Sequence, residues 1–385
     1  DNYKSGLVPS RVGRLGSHHV RRTDLRLDVH RSPRKMQTLV ISEVPTPQRI
    51  PTFNSLSSLL PDVTFIYMLT EKTDRGWGNL NVEHEARYWC EMRIGERLQL
   101  LRTTALRGKE SVAVCFGWRG PLRIAAILGS RVFGSPLVLR SDTNQRNIVD
   151  GSRIRRALRR GLLRLMIPPS ATAWTIGTEN ERFWKEEVRV TNVVRIPYEV
   201  PLLPGLRRAN TVSRRRSDPL ALRFIYVGRL SPEKRVMDAI RAFKDLRDTE
   251  HARWSLQIIG TGPCEPELRQ AAEGDSRIAF AGSVDYVTLG GFLEESDVLI
   301  LPSSREPWGL VVNEALGYGL YVIASDAVGA AIDMLTGSNG SVYPARNVGA
   351  LRECLGGAAN YLERVPQRPA TDTATLMAEG LRAYS

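Results

Sequence analysis

Residues 297–326 read DVLILPSSREPWGLVVNEALGYGLYVIASD, and this stretch decides the fold of the second half of the chain. The apolar run at residues 298–302 predicts a buried parallel strand, and residues 309–318 predict a helix. A polar loop joins the two elements. Strand, loop and helix in this order place the loop at the carboxyl end of a parallel sheet, where open α/β folds bind ligands.

The polar groups of this loop suit a sugar joined to a phosphate. The predicted helix start has free N–H groups at Gly309, Leu310 and Val311, which can bind a phosphate. Glu306 in the loop and Glu314 on the helix can accept hydrogen bonds from sugar hydroxyls. Both carboxylates are also typical of capping at a helix N-terminus, so spacing alone leaves the two interpretations open.

The composition fits a two-domain protein without a disulfide framework. The chain has 385 residues, of which 42% are hydrophobic, and this length suits two α/β domains. Its four cysteines are scattered without metal-ligand spacing, which predicts reduced thiols and favours a cytoplasmic location. No apolar run approaches the roughly 20 residues of a membrane span, and no signal-peptide core precedes the first predicted strand.

The net charge of +13 is partly concentrated in residues 1–35, which hold nine Lys and Arg against three Asp. This segment has little apolar periodicity, so we expect a disordered basic leader, with Met36 as a candidate natural start. Nucleic acid is the least favoured partner for the charge, because no known nucleic-acid-binding module accompanies it.

Residues 152–166, SRIRRALRRGLLRLM, form a predicted basic amphipathic helix. The apolar residues recur at helical spacing on one side and the arginines lie elsewhere. One interpretation is peripheral contact with an anionic membrane surface, possible at the inner face of a membrane. The other, which the sequence favours, is a domain helix whose arginine face is solvated.

Repeated strand and helix signals predict a parallel, doubly wound sheet in each half of the chain. The predicted strands are residues 38–42, 63–68, 112–116, 136–141, 171–176, 223–227, 255–259, 278–281, 298–302 and 321–324. Helices lie between them, including one over residues 232–246. Residues 71–110 have no clear assignment, and His84 within them is predicted to be a solvated surface group.

A second strand end carries signals for binding an anion. Gly228 lets the chain turn sharply after residues 223–227. Arg229 and Lys234 follow near the carboxyl edge of the predicted sheet, where two cations beside a helix start can hold a diphosphate. A solvated helix face would explain the same cations, so this signal is weak on its own.

A third strand end contains Gly260 and Gly262, which form a tight turn able to bring backbone close to a ligand. On its own, this glycine turn is weaker evidence for a ligand site than the cations after residues 223–227. Together, the three strand ends place glycines, a cation pair and a carboxylate pair along one edge of one sheet, and this combination favours a ligand site over capping.

These motifs resemble the donor domain of GT-B glycosyltransferases, of the retaining family 4 type known as glycosyl transferases group 1. The matching segments are VGRLSPEK, IIGTGP, FAGSV and SREPWGLVVNEA in the second half, with SEVPTPQRIPTFNSL, PLVLRSDTN and TIGTENERFW as pieces of an acceptor domain in the first. The resemblance spans about residues 36–385 and is strongest over residues 224–330. It implies two Rossmann-like doubly wound domains facing a cleft.

The resemblance also implies roles for the candidate residues. Arg229 and Lys234 would hold the donor diphosphate, Glu306 would contact the transferred sugar, and Glu314 would accept hydrogen bonds from the ribose. Because cationic side chains and a helix start can stabilise the leaving diphosphate, we expect no metal ion and no cofactor beyond the donor itself. No D-x-D pair stands at a strand end, which agrees with that expectation.

Backbone groups complete the implied donor site. The glycines Gly228, Gly260 and Gly262 would line it, and the amides of residues 309–311 would contact a phosphate. The backbone from Ala281 to Val284 would face the nucleotide base.

The acceptor side departs from the family pattern. Many relatives have a histidine beside the transferred sugar, whereas the corresponding strand end here reads LRSDTN, with Asp142 in its place. Asp142 can orient an acceptor hydroxyl or the sugar, or it can cap the next helix. Domain closure would bring Arg49 and Asp142 toward Glu306.

The sequence therefore predicts a retaining glycosyltransferase that uses a nucleotide-sugar donor and a glycan or lipid-linked acceptor. The alternatives are a GT-B nucleotide-sugar epimerase and a catalytically silent scaffold. The predicted segments are 1–35 as leader, 36–200 as acceptor domain, 201–220 as linker, 221–370 as donor domain, and 371–385 as a helix that can pack back on the first domain.

Overall fold

The computed structural model describes residues 36–70, 81–144, 152–198, 221–247, 251–360 and 373–384. These residues belong to one compact unit. The predicted leader and linker lie outside the described residues.

The first half folds into a parallel sheet with helices on both faces. Its strands are β1 (Gln37–Ser42), β2 (Val63–Tyr67), β3 (Ala86–Tyr88), β4 (Ser111–Phe116), β5 (Leu137–Arg140), β6 (Thr172–Thr175) and β7 (Asn192–Arg195). Its helices are α1 (Ile50–Leu59), α2 (Ile94–Ala105), α3 (Pro121–Phe133), α4 (Arg153–Met166) and α5 (Thr178–Arg182), which continues as a π-helical segment, Phe183–Val188. The strand order is β3-β2-β1-β4-β5-β6-β7.

The second half repeats this plan. Its strands are β8 (Arg223–Val227), β9 (Ser255–Ile259), β10 (Ile278–Gly282), β11 (Val298–Leu301), β12 (Tyr321–Ser325) and β13 (Gly340–Tyr343). Its helices are α6 (Val236–Lys244), α7 (Glu265–Ala272), α8 (Tyr286–Glu295), α9 (Leu310–Gly317), α10 (Gly329–Met334), α11 (Val348–Gly357) and α12 (Thr373–Arg382). The strand order is β10-β9-β8-β11-β12-β13, again with parallel pairing.

The predicted fold class is confirmed, since each half forms a doubly wound parallel sheet. Three short strands, β3, β7 and β13, were not predicted. β3 and β7 contain no fully buried residue, so they lack the apolar run that identifies the central strands. They lie at the two edges of the first sheet, where side chains meet solvent.

Alternating side chains of the first sheet fill two separate cores. Val40 of β1 packs on the α1 side, whereas the next residue, Ile41, packs beneath α3 and α4. α12 covers the α1 side, because Met377 lies in the same cluster as Val40, and the Thr373 hydroxyl donates to the carbonyl oxygen of Pro197 at 3.0 Å. The last described helix therefore packs on the first sheet.

The orientation of α4 contradicts the preferred sequence interpretation. The side of α4 that carries Arg160 and Arg164 faces the domain: Arg160 makes a bidentate ion pair with Glu187, and Arg164 donates to the carbonyl oxygens of Glu186 and Glu187 at 2.9 Å. Its apolar side is exposed to solvent, with Ile154 at 72%. Helical periodicity separates two faces but does not say which one packs inward, so the prediction of a solvated arginine face was wrong for Arg160 and Arg164, whereas Arg153 and Arg156 are exposed.

No helix among the described residues combines the length and the apolarity that crossing a bilayer requires.

His84 is buried, so the prediction of a solvated surface group was wrong. Its side chain lies between the rings of Phe53 and Phe65 and is only 5% exposed. Nδ1 donates to the Asn54 side-chain oxygen at 2.5 Å, and Nε2 accepts from the Tyr67 hydroxyl at 2.9 Å. Burial lowers the pKa of His84 to about 4, so the ring is neutral at physiological pH.

This burial makes folding stability depend on pH. Because the folded pKa of about 4 lies below the ordinary value of 6.5, the stabilising effect is complete above pH 6.5 and is lost as the pH falls toward 4. We expect the free energy of unfolding to fall by about 2 kcal/mol between about pH 7 and about pH 5 from this site alone. Urea denaturation of the wild type and of His84→Gln measures it. An equal pH dependence in both proteins would contradict the assignment.

Candidate functional site

The candidate site lies where β8 and β11 pair at the centre of the second sheet. Here the strand order reverses, so the segment after β8 and the segment after β11 leave the same carboxyl edge side by side. Such a reversal opens a crevice in which α/β proteins bind ligands.

An ion pair joins the two segments. The ammonium of Lys234, after β8, donates to the carboxylate of Glu306, after β11. The Ser304 N–H donates to the carbonyl oxygen of Glu233 at 2.8 Å, which adds a backbone link beside the ion pair. The Lys234 and Glu306 side chains are 20% and 12% exposed, so the pair is largely screened from solvent. The structure thus brings together a predicted diphosphate ligand and the predicted sugar contact.

An interruption of the helix after Lys234 positions the Lys234 side chain for this contact. The predicted helix over residues 232–246 is in fact a single 3-10 turn, Pro232–Lys234, followed by Arg235 with φ of 55° and then α6. Arg235 is stabilised in this left-handed conformation by a bidentate pair with Asp238 at 2.8 and 3.0 Å. Because a continuous helix would project Lys234 differently, the break is part of the site.

Arg229 differs from Lys234. Its side chain is exposed and has no hydrogen bond or ion pair with any residue that the structure describes. Its carbonyl oxygen accepts from the Tyr226 hydroxyl at 3.0 Å, which fixes the backbone of the turn. The predicted cation pair therefore consists of one cation engaged with Glu306 and one directed to solvent.

The glycine turns pack backbone against backbone. A Cβ on Gly260 would collide with the carbonyl oxygen of Gly228, and a Cβ on Gly262 would collide with that of Leu230. The Leu230 N–H donates to the Thr261 carbonyl at 2.9 Å across the same contact. These glycines are needed because the neighbouring segments touch through backbone atoms.

The start of α9 keeps the donors that the sequence predicted. Gly309 has φ of 91° and precedes α9 without a side-chain cap, so the interpretation of Glu306 as a helix cap was wrong. The N–H groups of Gly309, Leu310 and Val311 donate to no acceptor within the described part of the chain. The helix start can therefore bind an anion beside Glu306.

Glu314 lies in the interior, against the first domain. It is 5% exposed, and burial raises the pKa of its carboxyl group to about 7. The side chain of Gln48, from the loop between β1 and α1, is hydrogen-bonded to it. Sequence reasoning missed Gln48, because nothing in its polar, Pro-rich loop indicates a partner on the other domain.

Ala281 and Val284 lie at the end of β10, next to the Gly260 turn. The Gly260 N–H donates to the Gly282 carbonyl oxygen at 2.7 Å, and both predicted base contacts are half-buried against the core of the second sheet. The sheet edge therefore presents, in order, the predicted base contacts, the glycine turn, the cations and Glu306.

On the first domain, Asp142 follows β5 and is exposed. It does not cap α4, because the cap is the Ser152 hydroxyl, which accepts from the Arg155 N–H at 3.1 Å. That alternative from the sequence was wrong. Asp142 interacts electrostatically with Arg140 and Tyr198.

Tyr198 connects this cluster to the second domain. The buried Arg140 guanidinium lies 5.0 Å from the Tyr198 ring centroid, and the Arg49 side chain is hydrogen-bonded to Tyr198. The Tyr198 ring in turn lies 6.3 Å from the ring of Trp308, two residues after Glu306. Sequence reasoning missed Tyr198, which stands before the predicted linker without a recognisable motif.

Three further contacts hold the domains together. The Asn313 amide donates to the Tyr198 carbonyl oxygen at 3.2 Å, and the Asn144 amide donates to that of Pro307 at 3.0 Å. The Thr178 N–H donates to Asp333 at 2.8 Å. The loop that carries Glu306 and the two helices that follow it, α9 and α10, are thus each linked to the first domain.

Comparison with known proteins shows that part of the second half resembles a known family. The family model described as Glycosyl transferases group 1 matches residues 221–359. Glycogen synthase of Mycobacterium tuberculosis is 36% identical over 141 residues, covering 36% of this chain and 33% of that protein. A GDP-mannose-dependent alpha-(1-6)-phosphatidylinositol dimannoside mannosyltransferase of the same species is 31% identical over 171 residues, covering 43% of each chain. The matches thus span less than half the length of these relatives.

Solved structures extend the likeness to the whole fold. Anabaena Alr3699/HepE in complex with UDP and glucose aligns with a TM-score of 0.61 at 14% identity, covering 90% of this chain and 95% of that one. The lipopolysaccharide outer core galactosyltransferase WaaB aligns with a TM-score of 0.60 at 14% identity, covering 90% and 100%. The chain has the GT-B fold, and the predicted resemblance to glycosyl transferases group 1 is confirmed over residues 221–359.

The glycine contact predicts a sharp difference between two substitutions. Gly260→Ala places a Cβ against a carbonyl oxygen at φ of 129°, so we expect the free energy of unfolding to fall by about 2 kcal/mol or more. Gly291→Ala is the matched control: it lies within α8 with nothing near its Cβ position and should stabilise by about 0.5–1 kcal/mol. Chemical denaturation measures both, and equal effects would contradict the backbone contact.

The buried carboxyl group gives a second test. Because the folded pKa of Glu314 is raised from 4.5 to about 7, its protonated form stabilises the fold at low pH, and that stabilisation is lost as the pH rises from 4.5 through 7. Glu314→Gln should therefore gain stability relative to the wild type with rising pH, by about 3 kcal/mol in total. Unfolding at several pH values measures the difference between the two proteins. If the difference in unfolding free energy between the two proteins does not change with pH, the raised pKa of Glu314 is refuted.

Proposed function

We propose that this chain is a retaining glycosyltransferase that moves a sugar from a nucleoside diphosphate-sugar to a glycan or lipid-linked acceptor. The observation that carries the proposal is the Lys234–Glu306 ion pair at the strand reversal of the second sheet, beside the open N–H groups of α9. It places a cation, a carboxylate and an anion-binding helix start within one crevice.

In this proposal a diphosphate competes with Glu306 for Lys234. When the donor binds, its phosphates take the Lys234 ammonium and the α9 N–H groups, and Arg229 moves in from solvent. Glu306 then loses its partner and is available to accept hydrogen bonds from the sugar. The two cations and the helix start stabilise the charge that develops on the leaving diphosphate, and the proposal includes no metal ion.

The acceptor would bind on the first domain, beside Asp142 and Arg49. Tyr198 supports this placement, because it contacts Arg49 on one side and Trp308 on the other. Asp142 is exposed there and free of a capping role. The first-domain groups thus lie toward the donor side, which favours an enzyme over a silent scaffold.

The relatives support the substrate classes. One relative is a GDP-mannose-dependent alpha-(1-6)-phosphatidylinositol dimannoside mannosyltransferase, and one neighbour of the same fold was solved with UDP and glucose. A nucleotide-sugar donor fits both names, and a lipid-linked acceptor fits the first. We further propose that the protein acts in the cytoplasm at the inner face of a membrane.

Substitution of Glu306 tests the proposal. A thermal-shift screen with UDP-glucose and GDP-mannose first identifies a donor, and product analysis with soluble and lipid-linked acceptors follows. Glu306→Ala should lower the rate of transfer by about 100-fold or more while nucleotide binding persists, because Lys234 and Arg229 remain. Lys234→Ala should instead weaken nucleotide binding.

The matched control is Glu353→Ala, the same change at an exposed position of α11, a helix that carries none of the candidate site residues. It should leave transfer unchanged. Undiminished transfer by Glu306→Ala would contradict the proposal. Conversion of the donor to an isomer in the absence of an acceptor would favour the epimerase instead.

A further inference from the structure

Three neighbouring helices of the first domain expose apolar side chains on their outer sides. α2, α3 and α4 cover the same face of the first sheet. The exposed apolar residues, here called the apolar helix face, are Ile94, Leu98 and Leu106 on or next to α2, Ile124, Leu128, Val132 and Phe133 on α3, and Ile154, Leu158, Leu162 and Leu165 on α4. Apolar surfaces of this extent on one side of a domain mark an interaction site.

The helices cannot rotate to bury this face. α3 already buries Leu122, Ala126 and Ile127 beneath it. At the crossing of α2 and α3, a Cβ on Gly129 would collide with the backbone of Ala105, so the two helices are in direct backbone contact.

The inner side of α4 is fixed by polar contacts. Arg160 pairs with Glu187, and Arg164 donates to two carbonyl oxygens of the π-helical segment. Inverting α4 would withdraw both arginines from the buried Glu187 carboxylate and from these carbonyl oxygens, which is costly. The outward direction of Leu158 and Leu162 is therefore built into the fold.

Most charged side chains on these three helices are basic. α3 and α4 contain no Asp or Glu. The acidic residue of α2, Glu96, accepts from the Arg93 N–H at 2.7 Å as part of a capping box. The exposed arginines on or next to the three helices are Arg93, Arg102, Arg131, Arg153, Arg155 and Arg156.

We propose that the apolar helix face is a docking surface for an anionic lipid bilayer. Leucine and isoleucine side chains would enter the boundary between headgroups and acyl chains, while the arginines contact lipid phosphates. A second copy of this chain would bring arginines against arginines, and residues 1–35 carry the same positive sign, so neither complements the surface.

The surface also lies beside the candidate acceptor region. In a parallel sheet each helix begins near the carboxyl edge, so α3 and α4 begin at the edge where Asp142 follows β5. A lipid-linked acceptor held in the bilayer would then reach the first domain from this side. This last step rests on the proposed function, whereas the bilayer contact itself does not.

Co-sedimentation of the full chain with vesicles tests the proposal. We expect binding to vesicles of phosphatidylcholine with phosphatidylglycerol, and much weaker binding to phosphatidylcholine alone. The double substitution Leu158→Gln with Leu162→Gln should weaken binding about tenfold or more. Val287→Gln, at an equally exposed apolar residue of α8, is the matched control and should bind as the wild type does.

A second pair of substitutions separates charge from apolar contact. Arg155→Gln with Arg156→Gln should lower the affinity about fivefold for each arginine removed and reduce its dependence on salt. Both arginines are exposed, so circular dichroism and thermal unfolding should match the wild type.

Three outcomes would contradict the proposal. Wild-type protein that stays in solution with anionic vesicles overturns it, as does a Leu158→Gln, Leu162→Gln variant that binds equally well. If light scattering shows a dimer that this variant loses, the surface belongs to a second copy instead. Vesicle binding needs no donor, so loss of donor binding or transfer alone would count against the proposed function and leave this result unchanged.

Discussion

The contact between Lys234 and Glu306 depends on most of the second domain. It requires β8 and β11 to be neighbours although the two residues lie 72 positions apart. It also requires the left-handed Arg235, which ends the 3-10 turn, and the backbone bond from Ser304 to Glu233. An opposite charge placed this close, in a half-closed crevice, is a strong local constraint. The remaining donor-side groups lie along the sheet edge that this pairing defines.

Much of this domain could be predicted because its signals are local. A short apolar run identifies a central strand, and a glycine followed by a polar loop identifies its carboxyl end. Strand ends of one parallel sheet meet at one edge, so motifs far apart in sequence were assigned to one site. The sequence does not predict the direct contact between Lys234 and Glu306, because its pattern places Lys234 on a continuous helix.

The features that were missed depend on tertiary partners. His84 is neutral and buried because Asn54 and Tyr67 satisfy both ring nitrogens, and no local pattern encodes that pairing. Gln48 and Tyr198 acquire their roles only where the domains meet. For α4, the periodicity distinguishes two faces. Which face packs inward depends on Glu187, more than twenty residues later, because it binds Arg160.

The glycine contacts after β8 and β9 have a consequence for how such a site can change over evolution. Because these segments touch through main-chain atoms, with no side chain between them, neither can be lengthened or reshaped without displacing the other. New donor preferences would therefore arise by exchange of side chains that project from a constant backbone, such as Val284 at the predicted base contact, rather than by insertions. The backbone of the site tolerates little change, whereas its side chains can be exchanged. Single substitutions there are therefore a practical route to altered donor selectivity.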